Sequence, residues 1–315
     1  MKFTDKKSIG YIVFITALLI YPGFADSRWL AVGSTFLIFS VVGLSEDIIL
    51  GKGGMFNMGH ALFFGMGAYT AAILNKFFGM PILYTTPFAI IVPAIFAILL
   101  AGPIIHLRGD YLLVSTIGLN IVFIQLVQND LFGITGGPNG IFGLDIPQVL
   151  GIDLGSPTAV YYTGVFVLFL TFLIMTNLDR SKPGRALHYF RLDDLAAKSI
   201  GINTSAYRLF AFALGAGIAG LGGVLFAIQY SAVSPEAFNF MQSVLFFSIV
   251  LVGGSSIPGI LIGTFVMFVL PEIFRDFATW RYFIFGFAMI LAMVLRPEGI
   301  LPAKFGKIPA YMKKE

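Results

Sequence analysis

Nine long stretches of this chain contain no Lys, Arg, Asp or Glu, and this pattern constrains the fold more than any other feature. Most of them hold the roughly 20 apolar residues that an α-helix needs to cross a bilayer. Charged residues make up only 11% of the chain, whereas an ordinary globular domain has about 25%. The pattern predicts an all-α, polytopic helical membrane protein. The nine stretches are residues 8–25, 29–45, 53–75, 77–107, 111–129, 154–178, 209–235, 237–271 and 282–295.

The stretch over residues 237–271 is too long for one crossing. At about 1.5 Å per residue it would extend roughly 50 Å as a single helix, against ~30 Å of hydrocarbon. The Gly- and Pro-containing segment 253–259 supplies a break. The sequence therefore predicts about ten transmembrane helices (nine to ten), since the pieces after Pro258 and after Arg281 are short enough to be re-entrant or interfacial.

The basic residues predict the orientation. With the N-terminus placed in the cytoplasm, sixteen of the 20 Lys and Arg residues fall inside, and only Arg28, Lys76, Arg275 and Arg281 fall outside. Because cytoplasmic loops of membrane proteins are enriched in basic residues, we expect both termini to be cytoplasmic. A second interpretation of the first stretch is a signal peptide cleaved near residues 23–25, which would leave the orientation of the remaining helices unchanged.

Two polar segments interrupt the hydrophobic pattern. The outside segment, 132–158, carries Gly136-Gly137-Pro138-Asn139-Gly140, which indicates a structured loop. The inside segment, 179–207, is too polar to cross the bilayer. Its apolar residues predict a short amphipathic helix with one apolar side, formed by Leu187, Phe190, Leu195 and Ile200. This helix is interpreted either as a membrane-surface element that enforces topology or as a docking element for a cytoplasmic motor.

Several chemistries are excluded or disfavoured by composition. The chain has no Cys, its three His residues are far apart, and no nucleotide-binding P-loop occurs. We therefore expect no catalytic residues, no metal site and no enzymatic activity. The stretches also lack mid-span charged residues, which argues against a proton relay and against ion-coupled transport.

Small and uncharged polar residues occur inside the stretches. Pairs such as Ala61/Gly65 and Ala216/Gly220 predict close helix packing. Polar side chains within a membrane either bond to a neighbouring helix or face a polar solute. The candidates for a translocation path are Asn57, His60, Thr116, Asn120 and Gln229.

Four segments together resemble the LivM-type permease subunit of branched-chain amino acid ABC importers, from about residue 41 to residue 303. The first is MGHALFFGMGAY at 58–69, and the second is RGDYL at 108–112 continuing to TGGPNG at 135–140. The third is GRAL at 184–187 with DDLAA at 193–197 and GIN at 201–203. The fourth is VSPE at 233–236, the Gly pair at 253–254 and RPEGIL at 296–301.

The resemblance implies a single ABC-importer transmembrane domain over residues 1–315. Its partners would be a second homologous permease, two cytoplasmic ABC ATPases and an extracytoplasmic solute-binding protein, within membrane lipid and without nucleic acid. ATP and Mg would bind to the ATPases, so no cofactor is expected on this chain. The location would be a bacterial or archaeal plasma membrane. The substrate would be a branched-chain amino acid; urea or a short amide is the alternative, and a stand-alone ion-coupled or facilitative carrier is the alternative of another class.

The resemblance also assigns roles to residues. Importer permeases carry a Glu-Ala-Ala-x-x-x-Gly signature on a coupling helix, and here Ala196, Ala197 and Gly201 match it, whereas Leu195 stands in place of Glu. The implied coupling-loop residues are Gly184, Arg185, Asp193, Asp194, Ala196, Ala197 and Gly201. The implied docking residues for the binding protein are Pro138, Asn139 and Glu236.

Overall fold

The computed structural model describes residues 16, 18–104, 107, 109–145, 148–149, 152–153, 155–274, 283, 286–287, 289–291, 294–296 and 299–301. Both termini and about half of the predicted helices over 8–25 and 282–295 lie outside these residues. The count of about ten helices and the side on which each terminus lies therefore stay predictions.

Seven helical segments of the described part are long and apolar enough to cross a membrane, which confirms an all-α, polytopic membrane protein. They are α1 (Ser27–Asp47, continuing as a π-helix over Ile48–Lys52), α2 (His60–Phe78), α3 (Ile82–Ile104), α4 (Asp110–Gln128), α5 (Pro157–Arg180), α8 (Thr204–Tyr230) and α9 (Phe240–Gly253, preceded by a 3-10 turn over Pro235–Phe238).

Shorter elements complete the architecture. Between α5 and α8 lie α6 (Lys182–Leu192) and α7 (Asp194–Ser199). After α9 come α10 (Ile257–Thr264), a π-helix (Phe265–Val269) and α11 (Leu270–Ile273). Four two-residue strands form two antiparallel pairs: β1 (Ile141–Phe142) with β4 (Ala232–Val233), and β2 (Gln148–Val149) with β3 (Ile152–Asp153).

The break predicted within 253–259 is present. Helix α9 ends at Gly253, and Gly254 adopts φ +85°, a conformation that glycine reaches without strain. Helix α10 then begins at Ile257, where the Ser256 hydroxyl accepts a hydrogen bond from the Gly259 amide at 3.1 Å. The cap and the glycine therefore set where the long apolar stretch turns.

Small residues bring α2, α3 and α8 into backbone contact. A Cβ atom at Gly67 would collide with the backbone of Gly220, and one at Gly223 would collide with the carbonyl of Phe64. Gly220 in turn lies against the carbonyl of Ala89 in α3. The close packing predicted from these residues is thus found, and it fixes the centre of the bundle.

The fold places the two polar segments at opposite ends of the bundle. At one end, β1 from the loop after α4 pairs with β4 after α8. The other end carries α6 and α7, which pack beside the π-helical end of α1 and the start of α8. Alternating helix directions separate these two ends by the length of a span.

Candidate functional site

A buried polar cluster lies where α1 approaches the start of α2. The Glu46 carboxylate accepts a hydrogen bond from the Asn57 amide at 2.9 Å, and its Oε2 atom is 2.8 Å from His60 Nδ1. The other ring nitrogen of His60, Nε2, is 2.7 Å from the Ser45 hydroxyl. Glu46 and His60 have no solvent-exposed area. This is an ionisable pair held wholly inside the protein.

The members of this cluster satisfy one another's polar groups. The Ser45 hydroxyl donates its only hydrogen to the Val42 carbonyl at 2.6 Å, so it is an acceptor toward His60 Nε2. The Glu46 carboxylate has both Asn57 and His60 as partners. These contacts lower the cost of burying the ionisable groups.

The first described span carries charged residues in its last turns, beyond the point where the charge-free stretch 29–45 ends. Glu46 and Asp47 follow that stretch directly. Helix α1 continues through the apolar residues Ile48–Leu50 to Lys52, and all three charged side chains are buried. The apolar run after Asp47 was the sequence signal for this continuation.

Two of the predicted polar residues lie on α4, and one of them, Thr116, contacts segment 53–59. The Thr116 hydroxyl accepts from the Met58 amide at 3.1 Å and donates to the Leu113 carbonyl at 2.9 Å. One turn further on, the Asn120 amide donates to the Phe238 carbonyl at 3.2 Å. The segment 53–59 is therefore held between α1, α2 and α4 by the side chains of polar residues.

Gln229 does not belong to this group. Its amide donates to the Thr35 hydroxyl at 2.9 Å and to the Ala31 carbonyl at 3.2 Å, which joins α8 to α1. Thr35 lies ten residues before Ser45, or about 15 Å along the helix. Gln229 thus makes an interhelical hydrogen bond at a different level of the bundle.

Two cavities lie along α4, one beside its first turn and one further along the helix. The inner one has a volume of about 10 Å³, room for roughly a single water molecule, and Asn57, Gly59 and Thr116 contribute to its wall. The outer one is a cleft of about 250 Å³ between Leu112 of α4 and Arg191 of α6. The larger of these two cavities thus lies at the α6–α7 end, and the smaller one lies at the level of Thr116.

An ionic network ties α6 to the end of α1. Lys52 forms an ion pair with Asp179 at the end of α5 and lies 3.8 Å from Asp47. The Arg191 guanidinium donates to the Gly51 carbonyl within the π-helical turn. These contacts connect α6 and the end of α5 directly to the turn that leads into segment 53–59.

The polar segment 179–207 carries two short helices separated by Asp193. The Asp193 carboxylate accepts hydrogen bonds from the Leu195 and Ala196 amides at 2.9 and 3.1 Å, so it caps α7. Its extended backbone, with φ −155°, ends α6. Among the described residues, no group of three or more His, Cys, Asp or Glu side chains is placed to hold a metal ion.

The prediction that four apolar residues share one side of a single helix is wrong for two of them. Leu187 and Phe190 are buried against the bundle, whereas Leu195 and Ile200 are 70% and 68% exposed. The change of direction at Asp193 rotates α7 relative to α6, which a single helical period could not anticipate. An apolar pair on α7 is thereby presented outward.

The chain matches the family model described as "Branched-chain amino acid transport system / permease component" over residues 29–293. The chain belongs to this permease family. It is 31% identical to the high-affinity branched-chain amino acid transport system permease protein LivM of Salmonella typhimurium, over 95% of this chain and 76% of the relative. The permease protein BraD of Pseudomonas aeruginosa is 27% identical over 86% of this chain and 93% of the relative. LivH of Salmonella typhimurium is 26% identical over 85% and 92%. No solved structure matches the chain.

The residues that the permease resemblance assigned to coupling have clear structural contacts. Asp194 forms ion pairs with Arg208 of α8 at 3.0 Å and with Lys198 at 3.1 Å. Arg185 donates to the Arg180 carbonyl at 3.0 Å.

The small residues of the coupling set have separate roles. Gly184 has no room for a side chain because Cβ would meet the Leu178 carbonyl. Ala197 is buried, Ala196 is exposed, and Gly201 ends α7 with φ +83°. The set thus divides into buried contacts and an exposed surface.

In α6, the pKa of the His188 imidazole is shifted from its ordinary value. Burial lowers the pKa of its imidazole, and the nearby Arg191 guanidinium lowers it further. Both effects disfavour the protonated ring.

The three predicted docking residues of the permease lie together at the opposite end. Pro138 and Asn139 belong to a 3-10 turn that contacts the turn carrying Glu236, and all three are exposed. Phe132, at the tip of the preceding loop, is 87% exposed. The Asp130 carboxylate accepts from the Thr135 and Gly136 amides at 3.0 and 2.9 Å, which orders this loop.

Proposed function

We propose that this chain is the membrane-spanning subunit of an ATP-driven importer that moves branched-chain, aliphatic amino acids inward across the plasma membrane. The observation that carries the proposal is its match to the permease family together with 31% identity to LivM over 95% of its length. About ten helices and cytoplasmic termini complete the proposal, with the α6–α7 end inside. The substrate class comes from the names of the relatives.

Helices α6 and α7 are proposed as the surface that binds the cytoplasmic ATPases. Leu195 and Ile200 supply exposed apolar area, which indicates an interaction surface when it is rimmed by charge. Arg208 holds this surface on α8 through Asp194 and lies 5.5 Å over the Phe190 ring. A firmly attached surface transmits force, whereas a loose one would absorb it.

Energy transfer is proposed to run through the end of α1. Closure of the ATPases moves α6, and Arg191 and Lys52 carry the displacement to the π-helical turn Ile48–Lys52. π-helical turns are frequent at functional sites because they are locally irregular. The following segment 53–59 carries Asn57 and lies on Thr116, so it is placed to open or close the path along α4.

The polar residues Asn57, His60, Thr116 and Asn120 are proposed to line this path. Among apolar neighbours such as Leu62 and Phe63 they offer a few hydrogen-bonding groups, as an aliphatic amino acid requires. Gln229 instead holds α8 to α1.

The second permease is proposed to pack on α4. The exposed face of α4 includes Gly118, which permits close approach of another helix, and the polar Gln125. Large apolar residues such as Val114 and Val122 surround them, as on the exposed face of α3. At the other end, Pro138, Asn139 and Glu236 are proposed to meet the solute-binding protein.

The test is reconstitution of this chain with its permease partner, ATPases and binding protein in proteoliposomes. We expect uptake of labelled leucine that requires ATP, and competition by valine and isoleucine in excess over urea or acetamide. Uptake by this chain alone without ATP would refute the proposal, and dominant competition by urea would reassign the substrate.

A matched pair of variants tests the coupling surface. Leu195→Asp places a charge in the proposed apolar contact, so we expect co-purification of the ATPases to fall at least about ten-fold. Asn129→Asp adds the same charge at an exposed position of the opposite end and is the control. Equal ATPase recovery from both variants would contradict the assignment.

A further inference from the structure

A cleft of about 250 Å³ lies at the α6–α7 end. Its wall joins segment 53–55, the start of α4, the end of α6 and the starts of α7 and α8. This volume is about 25 times that of the inner cavity beside Thr116. It therefore suits a small organic molecule and is too small for most drug-sized ligands.

One side of the cleft is charged. Arg191, Asp194 and Arg208 all contribute to the wall, which gives it a net positive charge. Asp194 is paired with Arg208 at 3.0 Å and with Lys198 at 3.1 Å. Arg191 forms no ion pair with a carboxylate among the described residues; its bond to the Gly51 carbonyl uses one of five N–H donors. Arg191 therefore has N–H donors available for the carboxylate of a ligand, and the acidic Asp194 lies on the same side of the cleft.

The other side of the cleft is apolar. Met55, Leu107 and Leu112 form it, from segment 53–55 and the beginning of α4. The groups that line this cleft match the parts of an aliphatic α-amino acid. The guanidinium suits its carboxylate, the acidic side chain suits its ammonium group, and the aliphatic wall suits its branched side chain.

We propose that this cleft is a product-binding site for a zwitterionic aliphatic amino acid, through which the imported substrate inhibits its own transport from the cytoplasmic side. The ligand carboxylate binds Arg191, its ammonium group faces Asp194, and its side chain contacts Leu107 and Leu112. The inference rests on the proposed function for the identity of the substrate and for the side on which the cleft opens.

The position of the cleft explains how occupancy would act on transport. A ligand that contacts both α6 and α4 bridges the ATPase-binding surface and the wall of the path. It stabilises one spacing of these helices, and a ligand shifts a two-state equilibrium only through such differential contacts. Occupancy therefore opposes the movement of α6 that import requires.

Direct binding is measured on the permease–ATPase complex without the solute-binding protein, which would itself retain the ligand. We expect saturable binding of labelled leucine that unlabelled leucine displaces and leucinamide, which lacks the carboxylate, does not. Leu107→Trp fills the cleft and is expected to lower binding at least about ten-fold. Leu99→Trp, at an exposed position of α3, is the matched control. A second variant, Arg191→Gln, removes the guanidinium without filling the cleft and is expected to lose binding as well.

Transport is measured with the complete complex in proteoliposomes that contain ATP, with or without millimolar leucine in the compartment that α6–α7 face. We expect this added leucine to lower the initial rate of uptake about five-fold or more in the unchanged protein and in Leu99→Trp. In Leu107→Trp we expect the added leucine to have little effect on the rate. Unchanged rates together with absent binding would overturn the product site. Binding that is equal in Leu107→Trp and Leu99→Trp would also overturn it. Absence of ATP-dependent leucine uptake at zero internal leucine would refute the proposed function instead, and the binding measurement would still decide the cleft.

Discussion

Replacement of Glu46 by Ala is the most direct test of the buried cluster. Glu46 has no exposed area and accepts hydrogen bonds from Asn57 at 2.9 Å and from His60 at 2.8 Å. The truncation leaves both donors buried without this acceptor, at about 1–3 kcal/mol for each unsatisfied group. Loss of one member of a buried ionisable pair costs about 3–5 kcal/mol. We therefore expect the free energy of unfolding to fall by about 3–5 kcal/mol.

The assay is denaturation by sodium dodecyl sulfate in mixed micelles, followed by circular dichroism. Glu46→Gln keeps the shape and one acceptor, so we expect a loss of only about 1–2 kcal/mol. Ser40→Ala is the control on the same helix, because its buried hydroxyl has no hydrogen-bond partner among the described residues and its removal should not destabilise the protein.

A double-mutant cycle with His60→Ala separates the pair from its surroundings. We expect an interaction energy of about 2 kcal/mol between positions 46 and 60. A loss below about 1 kcal/mol for Glu46→Ala, equal to that of Ser40→Ala, would refute the reasoning that the pair is a buried, mutually dependent unit.

Three further predictions address packing, docking and pH. Gly67→Ala places a methyl group against the backbone of Gly220 and should cost about 1–3 kcal/mol in the same assay, whereas Gly102→Ala, with open space around it, should not destabilise the protein. Glu236→Lys reverses an exposed charge at the proposed docking surface and should weaken binding of the solute-binding protein about ten-fold at low salt, and Asp153→Lys on β3 is the control. Because the pKa of His188 is lowered by burial and by Arg191, the folded protein resists its protonation, and stability should decrease as the pH falls below about 6.5. His188→Gln should remove that decrease in thermal unfolding compared at about pH 7.5 and pH 5.5, and an unchanged pH dependence would contradict the assignment.

The small-residue pattern shows how much local sequence can predict in a membrane. Gly67 and Gly223 lie where helices meet closely, and lipid exerts no hydrophobic force between helices, so small residues at helical spacing directly mark such contacts. The break near Gly253 was predictable for a similar reason, since the hydrocarbon thickness limits the length of a helix.

The buried charges show where that reasoning stops. A count of charged residues treats Glu46 as the end of a span, because an isolated carboxylate is too costly within a bilayer. His60 and Asn57 reduce this cost, but they reach Glu46 only after the chain has turned back through segment 53–59. A pairing of this kind depends on the turn and is absent from the hydropathy pattern.

Periodicity also failed at Asp193. The rule that residues three or four apart share a face holds within one helix, and α6 and α7 are two. Their relative direction is set by the Asp193 cap and by the ion pair between Asp194 and Arg208. The outward position of Leu195 follows from these contacts.

By itself, the sequence determined that this is a helical membrane protein with two polar segments and a permease-like set of motifs, because hydrophobic length, charge bias and local motifs are properties of neighbouring residues. Only the tertiary structure decided that Glu46 and His60 form one buried pair, that Gln229 lies apart from them, and that a charged and aliphatic cleft opens beside Arg191. These features join residues from separate helices, and the spacing between helices is set by packing and by turns whose geometry no single stretch of sequence contains.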